Sequence, residues 1–360
     1  MTKESVMALL AEINDENSGR DLVSAGAVRE VVIHEDRVSV KIRLGYPLAN
    51  QGAELADLIK TRLENDAGIV SASINISFKV MPHKVQNDLK PLESIANVIV
   101  VGSGKGGVGK STTAINLALA LQAEGARVGL LDADIYGPSI PTMLGVKGQP
   151  STDGKKIIPK QAHGLHVMSI GFLVDEDTAM IWRGPMVTSA LTQLLNDTLW
   201  GTLDYLIIDL PPGTGDIQLT MAQRIPVAGA VIVTTPQDIA LLDARRALHM
   251  FRKVNVPVLG VVENMSTHIC NACGHEEAIF GQDGGAQMAK DFNIPLLGKL
   301  PLAMEIRSSL DEGNPTMVKD PHSNLANRYR SMALRTVGAL SCMPRSMVMQ
   351  IPDIVIQNQP

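Results

Sequence analysis

The spacing of apolar residues divides the chain into two patterns that meet near residue 90. In the first pattern, helical spacing and strand-like runs succeed one another in the order helix, strand, strand, helix, strand, which predicts a small α+β unit over residues 1–85. The polar residues 86–95 are interpreted as a linker. The predicted elements are a helix at residues 6–13, strands at Val28–Ile33 and Val38–Leu44, a helix at Gln51–Glu64 and a strand at Val70–Val80.

From Asn97 onward, β-branched apolar runs alternate with helical segments. This rhythm predicts an α/β unit over residues 96–342, built on a doubly wound, mainly parallel sheet. Ser151–Phe172 contains Gly and Pro breaks and predicts a small hairpin excursion, and residues 343–360 form a proline-broken, loosely docked tail. The predicted strands are Val98–Val101, Val128–Asp132, Tyr205–Asp209, Gly229–Thr234, Pro257–Val262 and one near Pro295–Leu300.

Composition limits which kinds of core, partner and cellular compartment fit this chain. Hydrophobic residues make up 45% of the chain and aromatic residues only 3%, so the core must be mainly aliphatic. A net charge of −5 does not favour nucleic-acid binding, and no apolar run is long enough to predict a membrane helix or a signal peptide. Three cysteines leave one over from any pairing, which fits a reducing compartment. We therefore expect a cytoplasmic protein with no nucleic-acid or membrane partner.

A glycine-rich segment between the first strand and the first helix of the α/β unit carries the clearest chemistry. It fits the phosphate-binding pattern G-x-x-x-x-G-K-[ST] in the strand–loop–helix context that this pattern requires. Backbone N–H groups and the helix N-terminus would surround the phosphates of ATP. Lys110 would reach the β- and γ-phosphates, and the Ser111 hydroxyl would hold Mg²⁺. The segment reads Gly104-Lys105-Gly106-Gly107-Val108-Gly109-Lys110-Ser111-Thr112.

Acidic residues end two of the predicted strands. Asp209 closes an apolar strand and matches a Walker B aspartate, which contacts Mg²⁺ through water. The following Pro211-Pro212-Gly213 predicts a hinged switch, in which Gly213 could offer its N–H to the γ-phosphate. Asp132 and Asp134 follow another strand, at the sheet edge where ligands bind. A carboxylate that caps the local turn is the alternative for both residues.

Cys270 and Cys273 form a C-x-x-C pair soon after the fifth predicted strand of the α/β unit. Two thiolates in one turn have the spacing that metals and clusters need, but four ligands are required. A two-fold dimer would supply Cys₄ to a bridging [4Fe–4S] cluster. Zinc remains open, either as Cys₄ across a dimer or as Cys₂His₂ with His268 and His275, and so does a redox or structural pair. Cys342 is expected to be a core residue.

The lysine directly after the first glycine makes the loop similar to the deviant Walker A of the MinD and nitrogenase iron protein class. The resemblance implies a homodimer in which Lys105 reaches the partner's nucleotide, as an arginine finger does elsewhere. It also implies that Asp134 orients the attacking water and that Asp132 supports the Mg²⁺ shell. Asn264, at the end of a later strand, would contact the adenine base.

With the segment Asp134-Ile135-Tyr136-Gly137-Pro138-Ser139 and the C-x-x-C pair added, residues 95–340 resemble the Mrp/ApbC family of iron–sulfur cluster carriers. That family implies an ATP-dependent homodimer that hydrolyses ATP with Mg²⁺, carries a [4Fe–4S] cluster and serves apo iron–sulfur proteins and scaffold proteins. Residues 1–85 resemble a small domain of iron–sulfur assembly proteins. This domain often has a reactive cysteine, whereas this chain has none before Cys270, so we expect a docking role.

Two rival functions come from other classes of protein, and the sequence disfavours both. A MinD/ParA-like positioning ATPase that binds membrane or DNA and has a structural zinc would need a basic amphipathic C-terminal helix or a basic patch. Residues 343–360 contain one basic residue, Arg345, and three prolines, which disfavours it. An electron donor like nitrogenase reductase would need cysteines on two separate loops. No cysteine precedes residue 270, so that site cannot be built.

Overall fold

A mainly parallel β-sheet forms the centre of the computed structural model, which describes residues 2–65, 68–86, 89–173 and 184–346. Helices cover both faces of this sheet, so the predicted α/β doubly wound fold is confirmed. A smaller unit with its own sheet precedes it. Within the described residues, no helix is both long and apolar enough to cross a bilayer.

The N-terminal unit is a three-stranded sheet backed by two helices. Its elements are α1 (Lys3–Ala11), β1 (Asn14–Asp15), β2 (Arg20–Asp21), β3 (Val28–His34), β4 (Arg37–Leu44), α2 (Gly52–Glu64) and β5 (Ser71–Phe78). β4 lies in the middle, antiparallel to β3 and parallel to β5. Burial alternates along β4 because only one face of the sheet packs on the core. The predicted element order is present, and the short β1–β2 ladder is an addition.

The strands of the α/β unit are mostly short and buried. They are β6 (Ile95–Gly102), β7 (Val128–Asp132), β8 (Thr152–Asp153), β9 (Lys156–Ile157), β10 (Lys160–Ala162), β11 (Leu165–Ser169), β12 (Leu203–Asp209), β13 (Gly229–Thr234), β14 (Val258–Ile269), β15 (Glu276–Glu277) and β16 (Leu296–Leu302). In the large sheet the order is β10-β11-β7-β12-β6-β13-β14-β15, and β16 also pairs with β14. β10 and β15 are antiparallel to their neighbours, and the strands between them are parallel.

Two buried clusters hold the helices on the sheet. α3 and α11 pack on one face, and α5 to α8 pack on the other. The central strand β6 is buried along nearly its whole length, as expected for a parallel strand covered on both sides. The helices are α3 (Lys110–Ala123), α4 (Ile140–Met143), α5 (Gly184–Asp197), α6 (Asp216–Arg224), α7 (Asp238–Lys253), α8 (Gly284–Phe292), α9 (Met304–Asp311), α10 (Thr316–Lys319) and α11 (Asn324–Ser341), with a 3₁₀ turn at Ile170–Phe172.

The hairpin excursion predicted at Ser151–Phe172 does contain hairpins, since β10 and β11 also pair antiparallel, but its second half belongs to the main sheet. β8 and β9 do form a separate small hairpin, but β11 joins the main sheet parallel to β7. The Gly and Pro breaks around this strand hid it, because pairing with a strand more than 30 residues earlier leaves no local signal.

The strand predicted at Pro257–Val262 is also longer than expected, since β14 continues to Ile269. Met265 adopts a left-handed φ of 55°. The pairing of β14 with β16 shifts register between Asn264 and His268. Such an irregularity lets a strand continue after bending, and it carries β14 to the C-x-x-C segment.

The N-terminal unit packs directly on the ends of α3 and α11. Its core belongs to the same buried cluster as one face of the large sheet. Asn50 donates its backbone N–H to Glu124 Oε2 at 2.9 Å, and the thiol of Cys342 contacts the Ser18 carbonyl at 3.6 Å. A Cβ on Gly338 of α11 would lie 2.2 Å from the carbonyl oxygen of Asn17, so the two backbones touch.

The predicted linker and tail are more ordered at their edges than their composition indicated. Gln86 is buried, and its amide nitrogen donates to the Ala222 carbonyl at 2.7 Å. Near the C-terminus, Lys84 donates to the Pro344 carbonyl at 2.8 Å, and Ser346 donates to the Pro82 carbonyl at 3.0 Å. The first residues of the predicted tail therefore pair with the segment that joins the two units, and the rest of the tail lies outside the described residues.

Candidate functional site

The glycine-rich loop lies between β6 and α3, as predicted, and two of its glycines are required by geometry. Gly109 precedes α3 with a left-handed φ of 81°, and a Cβ there would lie 2.1 Å from Asn264 Nδ2. A Cβ on Gly104 would lie 2.1 Å from the backbone carbon of Asp243 in α7. Both positions therefore exclude larger residues.

Lys110 connects the loop with the strand ends of the sheet. Its side chain is buried, and Nζ lies 2.7 Å from Asp209 Oδ1 and 3.6 Å from Asp134 Oδ2. Ser111 Oγ lies 3.4 Å from the same ammonium. The structure thus brings together four residues that the sequence analysis assigned to one nucleotide site.

The carboxylate oxygens that accept no hydrogen bond indicate which aspartate fits a magnesium ion. Asp209 Oδ2 is buried and accepts no hydrogen bond from the part of the chain that the structure describes. Asp132 accepts hydrogen bonds from the N–H groups of Asp134 and Ile140 and from the Ser169 hydroxyl, at 3.0–3.3 Å. Asp209 and the nearby Ser111 hydroxyl therefore fit Mg²⁺ and its water shell, whereas Asp132 braces the loop after β7.

Burial raises the pKa values of the three carboxyl groups at this site. It raises the pKa of Asp132 to about 7, aided by the neighbouring charge of Asp209 and opposed by hydrogen bonds and by Lys110. Burial also raises the pKa of Asp134 and of Asp209, and in both cases the Lys110 charge acts in the opposite direction. Three carboxylates share a single lysine, so the site favours added positive charge.

Two residues predicted to contact the nucleotide donate hydrogen bonds to carbonyl groups of the chain itself. Asn264 is buried and its amide nitrogen donates to the Val108 carbonyl at 2.8 Å, so this side chain braces the glycine-rich loop. The N–H of Gly213 donates to the Ser103 carbonyl at 2.9 Å, and Gly213 has a φ of 102°. The roles of Asn264 toward adenine and of Gly213 toward the γ-phosphate stay predictions.

Lys105 differs from Lys110 in its surroundings. Its carbonyl accepts a hydrogen bond from Ser103 Oγ at 2.9 Å, which fixes the backbone. Its side chain is half-buried, and no carboxylate of the described chain pairs with its ammonium. As far as the described residues show, the Lys105 charge is not engaged by a carboxylate.

The C-x-x-C pair lies in the turn between β14 and β15. Cys270 donates its N–H to the His275 carbonyl at 2.9 Å, and Gly274 closes the turn by donating to the Cys270 carbonyl at 2.8 Å. The Cys270 thiol is half-exposed and the Cys273 thiol is exposed. The backbone N–H groups of Ala272 and Cys273 lower the pKa of the Cys270 thiol. The turn therefore favours the thiolate, the form that binds metals.

Contacts on either side hold this turn in place. Arg328 of α11 lies 2.5 Å from Glu276, which also accepts a hydrogen bond from the Thr267 hydroxyl at 2.9 Å. Asn271 donates to the thioether sulfur of Met304 at 3.2 Å. Within the described residues, no three Cys, His, Asp or Glu side chains are grouped as a metal site requires. The Cys₂His₂ zinc site with His268 and His275 is therefore not assembled in one chain.

Three residues of this region were not identified from the sequence. Ser169 supports Asp132 from the missed strand β11, and Gln218 of α6 donates to the Pro212 carbonyl in the predicted switch. Met304 contacts the cysteine turn from the start of α9. All three reach the site through tertiary packing, for which neither motif spacing nor periodicity gives a signal.

Comparison with known proteins agrees with this geometry. A family described as NUBPL iron-transfer P-loop NTPases matches residues 94–337, and a family of iron–sulfur cluster assembly proteins matches residues 3–76. A nucleotide-binding protein from Archaeoglobus fulgidus, solved in complex with ADP, is 35% identical with a TM-score of 0.58, covering 66% of this chain and 93% of its own.

Curated relatives extend the match over nearly the whole chain. An iron–sulfur cluster carrier protein from Pseudomonas fragi is 56% identical over 280 residues, which cover 77% of this chain and 98% of the relative. One from Escherichia coli K12 is 48% identical over 337 residues, which cover 93% of this chain and 91% of the relative. The chain therefore belongs to the family of NUBPL iron-transfer P-loop NTPases, with an iron–sulfur cluster assembly unit ahead of the NTPase unit.

Proposed function

We propose that this protein is an ATP-dependent carrier that binds a [4Fe–4S] cluster between two copies of the chain and delivers it to apoproteins. The observation that carries the proposal is the path of β14. This strand supplies Asn264, which braces the glycine-rich loop, and then continues to the turn that presents Cys270 and Cys273. One element thus joins a nucleotide loop to a pair of accessible thiols.

The cluster is cargo, and the cysteine turn suits a temporary hold on it. A [4Fe–4S] cluster takes four cysteine thiolates, and each chain offers two of them here. Two copies related by a two-fold axis would complete the set. Because both thiols are accessible from solvent, a client protein could replace them one at a time with its own cysteines.

ATP would bind with its phosphates in the loop Gly104–Thr112. Bound Mg²⁺ would offset phosphate charge, held by Ser111 and, through water, by Asp209. Lys110 would move from Asp209 toward the β- and γ-phosphates, which would leave Asp134 free to orient the attacking water. Lys105 of the second copy would neutralise charge that develops on the γ-phosphate.

A second path links the nucleotide site to the cysteine turn through α4 and α9. Asp132 accepts the N–H of Ile140, the first residue of α4. The loop after α4 then meets the loop after α9 so closely that a Cβ on Gly313 would lie 2.6 Å from Gly145 Cα. Movement of the segment after β7 would therefore press on α9.

The other end of α9 contacts the cysteine turn. Met304 begins this helix, and its sulfur accepts a hydrogen bond from Asn271, which lies between the two cysteines. A short rigid helix can transmit a shift along its axis. We therefore propose that α9 couples nucleotide hydrolysis to the grip on the cluster. The partners would be apo iron–sulfur proteins and cluster scaffold proteins in the reducing cytoplasm.

Anaerobic reconstitution with iron and sulfide tests the proposal. The full chain should gain the visible absorption of an iron–sulfur cluster, about four irons per dimer and the solution mass of a dimer. Cys270→Ser and Cys273→Ser should each lose nearly all of the bound iron, because each removes two of the four ligands from a dimer. Cys342→Ser is the matched control and should keep its iron.

Two results would contradict the cluster assignment. A Cys270→Ser variant that retains the full iron content would show that the ligands lie elsewhere. A colourless wild-type protein that holds zinc would instead indicate a P-loop ATPase with a structural zinc site. The positioning ATPase would then be the better-supported function.

A further inference from the structure

A cavity of about 200 Å³ lies where the N-terminal unit meets the end of α11. Its walls come from β3, β4, the loop after β4, the residue that follows β5 and the segment after α11. The cavity is far from the cysteine turn in sequence, and none of the motifs described above contributes to it. It is therefore a feature that the nucleotide and cluster chemistry leave unexplained.

The charge of this cavity contrasts with that of the whole chain. Four basic residues line it, whereas the chain carries a net charge of −5. All four are exposed, and within the described residues none of their side chains pairs with a carboxylate. They come from four separate elements and converge on one opening: Arg29, Arg43, Lys79 and Arg345. We call this cavity and its four residues the basic cleft.

One acidic residue, Asp15, also lines the basic cleft, and neutral groups of the N-terminal unit hold its carboxylate. Asp15 accepts the Tyr46 hydroxyl at 2.7 Å and the Ser18 hydroxyl at 2.5 Å. It also accepts the backbone N–H of Asn17 at 3.1 Å. These hydrogen bonds hold the Asp15 carboxylate at the floor of the cleft, where its single negative charge faces four positive charges on the rim.

The floor is held by contacts that cross between the two units. Tyr46 is buried, and a Cβ on Gly45 would lie 3.1 Å from the Ser341 Cβ of α11. Arg43 donates its backbone N–H to the Ala27 carbonyl at 2.8 Å, and Lys79 donates to the Leu44 carbonyl at 3.0 Å. The backbones that carry the rim are thus fixed before any ligand arrives, which lowers the entropy cost of binding.

We propose that the basic cleft docks an acidic peptide segment of a partner protein. Arginine forms paired hydrogen bonds with carboxylates, and a cavity of about 200 Å³ has room for one or two Asp or Glu side chains. Three arginines and a lysine on separate elements suit carboxylates spaced along a chain. The cleft lacks an exposed aromatic platform for bases, since the Tyr46 side chain is buried and its hydroxyl is bonded to Asp15.

Fluorescence anisotropy with a labelled octa-glutamate peptide and the full chain tests this proposal. Arg43→Glu should weaken binding by roughly tenfold or more, since it replaces an attractive charge with a repulsive one. Lys79→Glu provides a second variant with the same expectation. Arg37→Glu, an exposed arginine on the same strand β4 but outside the cleft, is the matched control and should change the affinity by less than about twofold.

The outcomes separate the proposal from its rivals. Absence of saturable binding, or an equal loss in the Arg37→Glu control, would overturn it. Displacement of the peptide by inorganic phosphate at similar concentration would indicate a simple anion site, and stronger binding of a single-stranded oligonucleotide would indicate a nucleic-acid surface. The assay needs neither nucleotide nor cluster, so its failure leaves the proposed carrier function standing.

Discussion

At the scale of single residues, the two lysines of the glycine-rich loop have opposite surroundings. Lys110 is buried among carboxylates, and its ammonium is 2.7 Å from Asp209. Lys105 has no carboxylate partner in the described chain. A lysine beside a phosphate site can stabilise charge that develops on a phosphate, and we propose that Lys105 does so for the nucleotide of a second copy of the chain.

We expect Lys105→Ala to lower ATP turnover by at least about tenfold while nucleotide affinity changes little, because Lys110 and the loop backbone remain. Steady-state phosphate release and binding of a fluorescent ATP analogue measure the two quantities. Lys155→Ala, an exposed lysine in the β8–β9 hairpin, is the matched control.

Mixing two inactive variants gives a sharper test of action between chains. In a mixed dimer, the site on the Lys105→Ala chain keeps its own Lys110 and receives Lys105 from the Lys110→Ala chain. The other site lacks both lysines. Up to about one quarter of the wild-type rate should return, since half of the dimers are mixed and each has one competent site. If mixing restores no activity although both variants bind to each other, Lys105 does not act across the dimer.

At the scale of elements, α9 is a second connection between the nucleotide site and the cysteine turn, besides β14. Its first residue, Met304, is largely exposed at 57%, so packing alone does not explain its place. What it does contact is Asn271 in the cysteine turn, at 3.2 Å. A thioether is a weak but adaptable acceptor, which suits a contact that must yield and re-form.

Met304→Ala should therefore loosen the turn and make cluster loss several-fold faster when a chelator is added to the loaded protein. The difference in loss rate between ATP and ADP should also shrink, because α9 no longer reaches the turn. Decay of the visible absorption measures both effects. Met304→Leu is the control that keeps bulk without the sulfur. Unchanged rates in both variants would mean that coupling does not pass through α9.

The sequence predicted those parts of the fold and site that depend on neighbouring residues. The loop Gly104–Thr112 and the turn at Cys270 could be located because their spacing is local. β11 could not be located, because it pairs with β7, and more than 30 residues of mostly irregular chain separate the two strands. The same reason hid Ser169 and Met304, which act on residues more than 30 positions away.

At the scale of the whole molecule, Glu124 holds the two units together. Its carboxylate is fully buried and accepts both the backbone and the side-chain N–H groups of Asn50, at 2.9 and 3.1 Å. Arg330 Nε of α11 lies 3.1 Å from Glu124 Oε1 and is also buried. The buried Glu124 charge stabilises the fold only while Asn50 and Arg330 both remain as its partners.

Glu124→Ala should therefore lower the free energy of unfolding by about 3–5 kcal/mol, because it leaves the Arg330 charge buried and unpaired. Glu312→Ala, which breaks the exposed pair with Lys319, should cost less than about 1 kcal/mol. Urea unfolding measures both. The double variant Glu124→Leu/Arg330→Met should recover most of the loss, since no unpaired charge remains. If it is as unstable as Glu124→Ala, the hydrogen bonds to Asn50, and not the Arg330 charge, hold the N-terminal unit in place.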